Sequence, residues 1–289
     1  MSMLSTESGI KPPSPPDSRQ WRRLARLGAA FPPPVVFALL LATQAAQVLA
    51  DVRVGVVADP CRGVPQASTP LDWSQRCRYS RENSQLPPPS RGRVVFIGDS
   101  ITEAWKVADP RLFVNDTLDR GITSQTTEQM LVRFRGDVID LKPRVVHIMA
   151  GTNDIAGNTG PTSLTVIQGN IKTMVEQAQL HHIKVVLASI PPAARFPWRA
   201  EIKPAATIAT LNRWLRDYAE CAHILFVDYY EALNDGSGGL NRSFSEDGVH
   251  LNTAGYAAMA PLARAALAQA MSAPGTAGPS AQDAWCNDL

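Results

Sequence analysis

The chain has 289 residues, 45% of them hydrophobic and 19% charged, with a formal net charge of +2. That length and apolar content are enough for a large buried core. The charge is unevenly placed: residues 1–50 hold five basic residues (Lys11, Arg19, Arg22, Arg23, Arg26) against two acidic ones (Glu7, Asp17), so the remainder carries −1 and offers no basic surface to nucleic acid or an anionic membrane.

Residues 1–50 read as an export signal. A basic stretch, "WRRLARLGAA", precedes the 16-residue apolar run "VVFALLLATQAAQVLA", and small residues stand just before Asp51. The run is shorter than the roughly 20 residues that cross a bilayer as a helix. Cleavage near residue 50 is therefore expected, leaving no stable membrane span and a protein located in the periplasm or outside the cell. Residues 51–92, rich in Pro, Ser and Arg, read as an irregular wrap or linker. All four cysteines, Cys61, Cys77, Cys221 and Cys286, lie beyond the cut. An even number in an exported chain favours disulfides over metal ligation. Of the three possible pairings, Cys61 with Cys77 and Cys221 with Cys286 is expected, because the first closes a short N-terminal loop and the second pins the tail.

Residues 93–271 carry the regular pattern. "RVVFIG", "RVVHIMAG", "KVVLASI" and "ILFVDYY" are short, β-branched and almost continuously apolar, as strands covered on both faces are. Between and after them, "TTEQMLVRFRGDVIDL", "LTVIQGNIKTMVEQAQLHH", "PAATIATLNRWLRDYAEC" and "NTAGYAAMAPLARAALAQAM" have helical length and spacing. A weaker strand falls between Leu112 and Ile122, making about five. The alternation predicts a three-layer αβα fold of the α/β class, a parallel sheet with helices on both sides, and residues 272–289 form a flexible tail. In such a sheet ligands bind beyond the carboxyl ends of the strands. "GDS", "GTND" and "PPAARFPW" each follow a strand, so they converge on one edge.

Ser100 in "GDS" is a nucleophile only if a base takes its proton. Among five histidines, His147 falls inside a strand and reads as core, His181 and His182 end a helix, and His223 has no adjacent acid. His250, in "EDGVHLN", lies three residues after Asp247, so one loop supplies a base and the carboxylate that orients it. The N–H of Ser100, the N–H of Gly121 and the side-chain amide of Asn153 are candidate donors to an oxyanion. Asp99 beside the serine, and Arg195, Phe196, Trp198 and Arg199 on a strand-end loop, are candidate substrate contacts.

"GDSIT", "RGITSQTT", "GTNDIAG" and "DGVHLN" resemble, in order and spacing, the four blocks of the SGNH (GDSL-type) hydrolases. The resemblance implies a flavodoxin-like fold and hydrolysis of esters or thioesters through an acyl-enzyme, without metal or cofactor. It assigns the four named positions to Ser100, Gly121, Asn153 and His250. Two departures stand out. The second block usually reads Gly-Ile-Ser-Gly, and Thr123 and Ser124 occupy its last two places here, adding bulk that narrows the pocket. The last block usually has proline where Leu251 stands, which predicts a looser loop. The expected substrate is a small-molecule, lipid or carbohydrate ester, with short-chain or acetyl esters first and lysophospholipids or thioesters as the alternative. A secreted binding module of the same fold, lacking activity, is the rival from another class; a phosphate binder lacks its glycine motif. The sequence carries no signal for an oligomeric state.

Overall fold

Five strands, β1 (Val94–Gly98), β2 (Thr117–Gly121), β3 (Val145–Met149), β4 (Lys184–Ala188) and β5 (Leu225–Val227), form one parallel sheet in the order β2-β1-β3-β4-β5. The computed structural model describes residues 72–273 together with Cys61, Val64 and Cys286, all within the unit Pro60–Leu289. The expected export signal and most of the tail lie outside the described residues. Every residue of β1, β3 and β4 is buried, which is why these segments show apolar runs and not alternation.

Helices fill both faces. They are α1 (Ser80–Gln85), α2 (Ser100–Ala108), α3 (Thr127–Asp137), α4 (Thr152–Ile155), α5 (Leu164–Leu180), α6 (Ala205–Cys221), α7 (Tyr229–Leu233) and α8 (Thr253–Ser272). α3 packs on α5, while α8 packs against β3, β4, β5 and α2. Starts are capped by side chains: Asp99 accepts from the Ile101 N–H, Ser163 from Val166, and Asn252 from Gly255. Thr126 and Gln129 close a capping box on α3. Register pairs Gly98 with Gly121 on one side and Met149 on the other, and Ala188 with Val227, so the strands end level and the following loops share one edge.

The region before β1 is not wholly irregular. It contains α1, which reaches β2, the edge strand, and this explains why β2 was the weakest strand signal: its Asp119 and Arg120, on opposite faces, are both buried against polar partners and not in solvent. Arg120 is fully buried, donating to Asn83 and Glu82 and lying 4.6 Å over the Tyr79 ring. Arg133, also buried, donates to the Gly98 carbonyl, the Gln125 side chain and Asp137. Asp119 accepts from the Gly121 N–H at 2.7 Å. Both expected disulfides, Cys61–Cys77 and Cys221–Cys286, are present. Among the described residues no helix is long and apolar enough to cross a membrane.

Burial pushes the Asp119 carboxyl up to about 7 from its ordinary 3.8. The folded chain thus holds a proton that the unfolded chain releases, and stability falls as pH rises between those values. Asp119→Asn keeps an oxygen for Gly121 but does not titrate. Its melting temperature relative to the parent should climb between about pH 4 and pH 7 and level off above, whereas a flat difference would exclude this role. The disulfides give a second expectation, since they close loops of 65 and 16 residues. Urea unfolding should show loss of Cys221–Cys286 costing about 1 kcal/mol more than loss of Cys61–Cys77, from chain entropy.

Candidate active site

Ser100 is the first residue of α2, held there because Asp99 caps the helix through its carboxylate. Gly98, two residues earlier, has no space for a side chain: a Cβ would lie 2.1 Å from the Thr102 hydroxyl and 2.9 Å from the Met149 carbonyl. This close approach brings the first turn of α2 down onto the sheet edge. The Ser100 hydroxyl lies 3.1 Å from His250 Nε2, across 150 residues of chain.

His250 Nδ1 lies 2.7 Å from Asp247 Oδ2, which places the proton on Nδ1 and leaves Nε2 as the acceptor facing the serine. The other Asp247 oxygen accepts from the backbone N–H groups of Val249 and His250, at 2.8 Å each. Burial works against the charge on Asp247, but the hydrogen bonds from the His250 ring and these N–H groups hold its pKa below the usual carboxylate range. The Ser245 hydroxyl donates to the His250 carbonyl and accepts from Gly248 N–H. Leu251 is buried and pairs with Ser245 as an isolated bridge. With leucine where the family usually has proline, the Ser245 and Asp247 side chains restrain this loop.

Asn153, in α4, reaches the same place. Its Nδ2 lies 3.1 Å from both an Asp99 carboxylate oxygen and the Gln125 carbonyl, and its Oδ1 accepts from Asn158 at 2.7 Å. Asp154 beside it accepts from the Thr127 N–H and hydroxyl, fastening this turn to the start of α3. A pocket of about 450 Å³ is lined by Ser100, His250 and Asn153, with Thr123, Ser124, Gln75, Gln129, Asn158, Thr159 and Trp198 around them.

Several residues assigned from sequence are not brought to this pocket. Gly121 is buried at the end of β2, and its N–H is already committed to Asp119. It is glycine for a packing reason, since a Cβ would sit 2.1 Å from the backbone nitrogen of Glu103 in α2. Three residues on, Ser124 lines the pocket with a left-handed backbone, φ +66°, and its N–H has no partner among the described residues. The signal for it was in the second block, whose usual glycine at this place serves that conformation. Asp99 is buried, with its carboxyl pushed up to about 6 by burial; it braces Ile101 and Asn153 and does not face a substrate. Phe196 is wholly buried and stacks on Trp198 at 5.2 Å. Arg199 pairs with Glu201 and lines a separate pocket of about 410 Å³, and Arg195 is exposed outside both pockets. Of that loop only Trp198 reaches the Ser100 pocket, 41% exposed, with its indole N–H on Asn158 and its ring 6.0 Å from the His250 ring. Thr123 does add bulk at the rim, but Glu103 holds its N–H and hydroxyl at 2.7 and 2.5 Å. Among the described residues no group of three or more His, Cys, Asp and Glu side chains stands at metal-binding spacing.

Comparison with known proteins places this geometry in a family. Residues 96–258 match the model of the GDSL-like lipase/acylhydrolase family. A candidate acylhydrolase from Bacteroides fragilis is 46% identical, with a TM-score of 0.67 over 69% of this chain and 98% of its own. A GDSL-like lipase from Bacteroides thetaiotaomicron is 44% identical, with a TM-score of 0.66 over 68% and 98%. The lipoprotein YqeF of Bacillus subtilis is 39% identical over 117 residues, 34% of this chain, and this chain spans about half (48%) of that relative's length. The family model takes in more than half of the chain, all four sequence blocks among them, and the chain therefore belongs to the GDSL-like lipase/acylhydrolase family.

Proposed function

We propose that this protein is an exported serine esterase that cleaves short-chain carboxylic esters through an acyl-enzyme. The observation that carries the reading is the line Ser100 Oγ, His250 Nε2, His250 Nδ1, Asp247 Oδ2, with contacts of 3.1 and 2.7 Å, opening onto a pocket where the N–H groups of Ser100 and Ser124 have no partner among the described residues. Ser100 Oγ attacks the ester carbonyl carbon and passes its proton to His250 Nε2. The carbonyl oxygen, now negative, is held by the N–H groups of Ser100 and Ser124, and by the Asn153 amide when one of its two hydrogens, given in the free protein to Asp99 and the Gln125 carbonyl at 3.1 Å, turns to the ligand. Collapse of the intermediate breaks the bond to the alcohol, which leaves with the proton from His250. Water, deprotonated by the same imidazole, then releases the acid and frees Ser100.

The pocket wall bears on the substrate. His250 is the one ionisable side chain among those lining the pocket, and Trp198 alone is a large apolar group. That favours a small acyl group on a neutral alcohol over a lysophospholipid, whose phosphate finds no cation here. A second pocket, of about 410 Å³, is more apolar, with Ile155, Leu164, Ile167 and Ile202, but shares no lining residue with the first. Two disulfides and the lipoprotein relative support export.

Against aryl esters from acetyl to palmitoyl, kcat/KM should be highest for acetyl or butyryl. Ser100→Ala should lose about 10⁴-fold or more. Turnover by Ser100→Ala at the parent rate would end this reading. The oxyanion assignment has its own test. Ser124→Gly keeps the N–H and relieves a left-handed serine, so activity should stay within about twofold while stability rises by about 1 kcal/mol. Gly121→Ala should instead lose soluble, folded protein, because the Cβ meets helix backbone.

A further inference from the structure

We infer that Gln75 determines specificity: its side-chain amide binds a hydroxyl group on the alcohol half of the substrate, selecting esters of neutral polyhydroxylated alcohols such as sugars. Gln75 can act in this way only if the pocket cleaves esters as proposed above. It lies upstream of the family-matched segment, yet it lines the pocket with Ser100 and His250.

The turn that presents it is held from several sides. The Asp72 carboxylate accepts from the N–H groups of Arg76 and Cys77 at 3.0 and 3.1 Å, and the Asp72 carbonyl accepts from the Gln75 N–H at 2.9 Å. Gln129 and Gln125, at the start of α3, donate to the successive carbonyls of Trp73 and Ser74, at 2.6 Å each. Cys77 is fixed to Cys61. The outcome is a left-handed backbone at Gln75, φ +51°, a conformation that glycine meets without steric cost and glutamine does not. A long amide at that place is unexplained by the turn itself.

The two neighbouring glutamines spend their amides on backbone carbonyls, whereas the Gln75 amide has no protein partner among the described residues. It therefore presents both a donor and acceptor sites to the pocket, the complement of an alcohol hydroxyl. The uncharged wall excludes selection by ion pairing, and the half-exposed Trp198 ring adds an apolar surface for the C–H face of a ring-shaped alcohol.

The test compares two acetates that share the acyl group, monoacetylated methyl glucoside and p-nitrophenyl acetate. Gln75→Gly suits the turn better and removes the amide, so its melting temperature should hold or rise. The ratio of its KM for the sugar ester to its KM for the aryl acetate should increase about 5-fold, at nearly unchanged kcat for the sugar ester. Gln75→Ala should shift the same ratio. Equal loss on both substrates would show a structural role only and overturn the inference, as would an unchanged ratio or a parent enzyme that cleaves the aryl acetate and not the sugar ester. Titration of methyl glucoside into Ser100→Ala, with and without Gln75→Gly, reads the same contact without catalysis. Weaker binding in the double variant supports the hydroxyl contact even if esters are not turned over; equal binding removes it.

Discussion

A buried guanidinium, Arg133, holds together the two loops on which the site depends. It donates at once to the carbonyl of Gly98, just before Asp99 and Ser100, and to the side chain of Gln125, just after Ser124. Asp137, one turn along α3, neutralises it. An ion buried this deeply gains little net stability, because desolvation offsets most of the attraction. Removing one partner, however, leaves an uncompensated charge, so the arrangement resists any motion that separates the β1 and β2 loops. The Gln125 carbonyl then receives Asn153, and Asp99 receives it too, which brings the third loop under the same restraint.

The fourth loop is restrained differently. The Asp247 to His250 contact is local in sequence, and its geometry is set by hydrogen bonds within residues 245–251. Only the position of that loop relative to the sheet depends on distant packing. Here the Tyr256 hydroxyl, on the first turn of α8, donates to the Ile101 carbonyl on the first turn of α2. The helix that carries the proposed nucleophile and the helix that follows the loop of the proposed base are thus joined at their starts, beside the 3.1 Å contact between Ser100 and His250.

The sheet, its helices and the meeting of Ser100, Asp247, His250 and Asn153 were legible in the sequence, because each rests on a pattern with a short range: apolar runs for buried strands, polar turns at their ends, an acid three residues from a histidine. β2 was faint for the opposite reason. Its Arg120 is a buried charge made tolerable by Glu82, Asn83 and Tyr79, and no local pattern announces a partner some forty residues away. Nor does any local pattern place Gln75, 25 residues before Ser100, at the same pocket. Gly121 was read as an N–H donor because a glycine kept for close packing and one kept for contact with a ligand look alike in one dimension. Phe196 and Arg199 share a loop with Trp198, and spacing alone does not tell which side chain faces the serine.

Charge and neutrality are divided consistently across the site. Asp99, Asp154, Glu103 and Arg133 lie around the pocket, yet each is occupied by loop backbone or loop side chains: Ile101 and Asn153, Thr127, Thr123 and Arg78, Gly98 and Gln125. In a partly buried setting those charged hydrogen bonds are stronger than neutral ones and fix the loops in place. The surface left for a ligand is made of amides, hydroxyls and one indole, with the Asp247 and His250 pair as its ionisable element. Neutral groups bind neutral ligands without the desolvation cost that free charges would impose. The imidazole of the proposed base has Asp247 as its ion-pair partner and no other among the described residues. The N-terminal segment belongs to both halves of this division, since Arg78 helps hold Glu103 while Gln75, three residues earlier, faces the pocket.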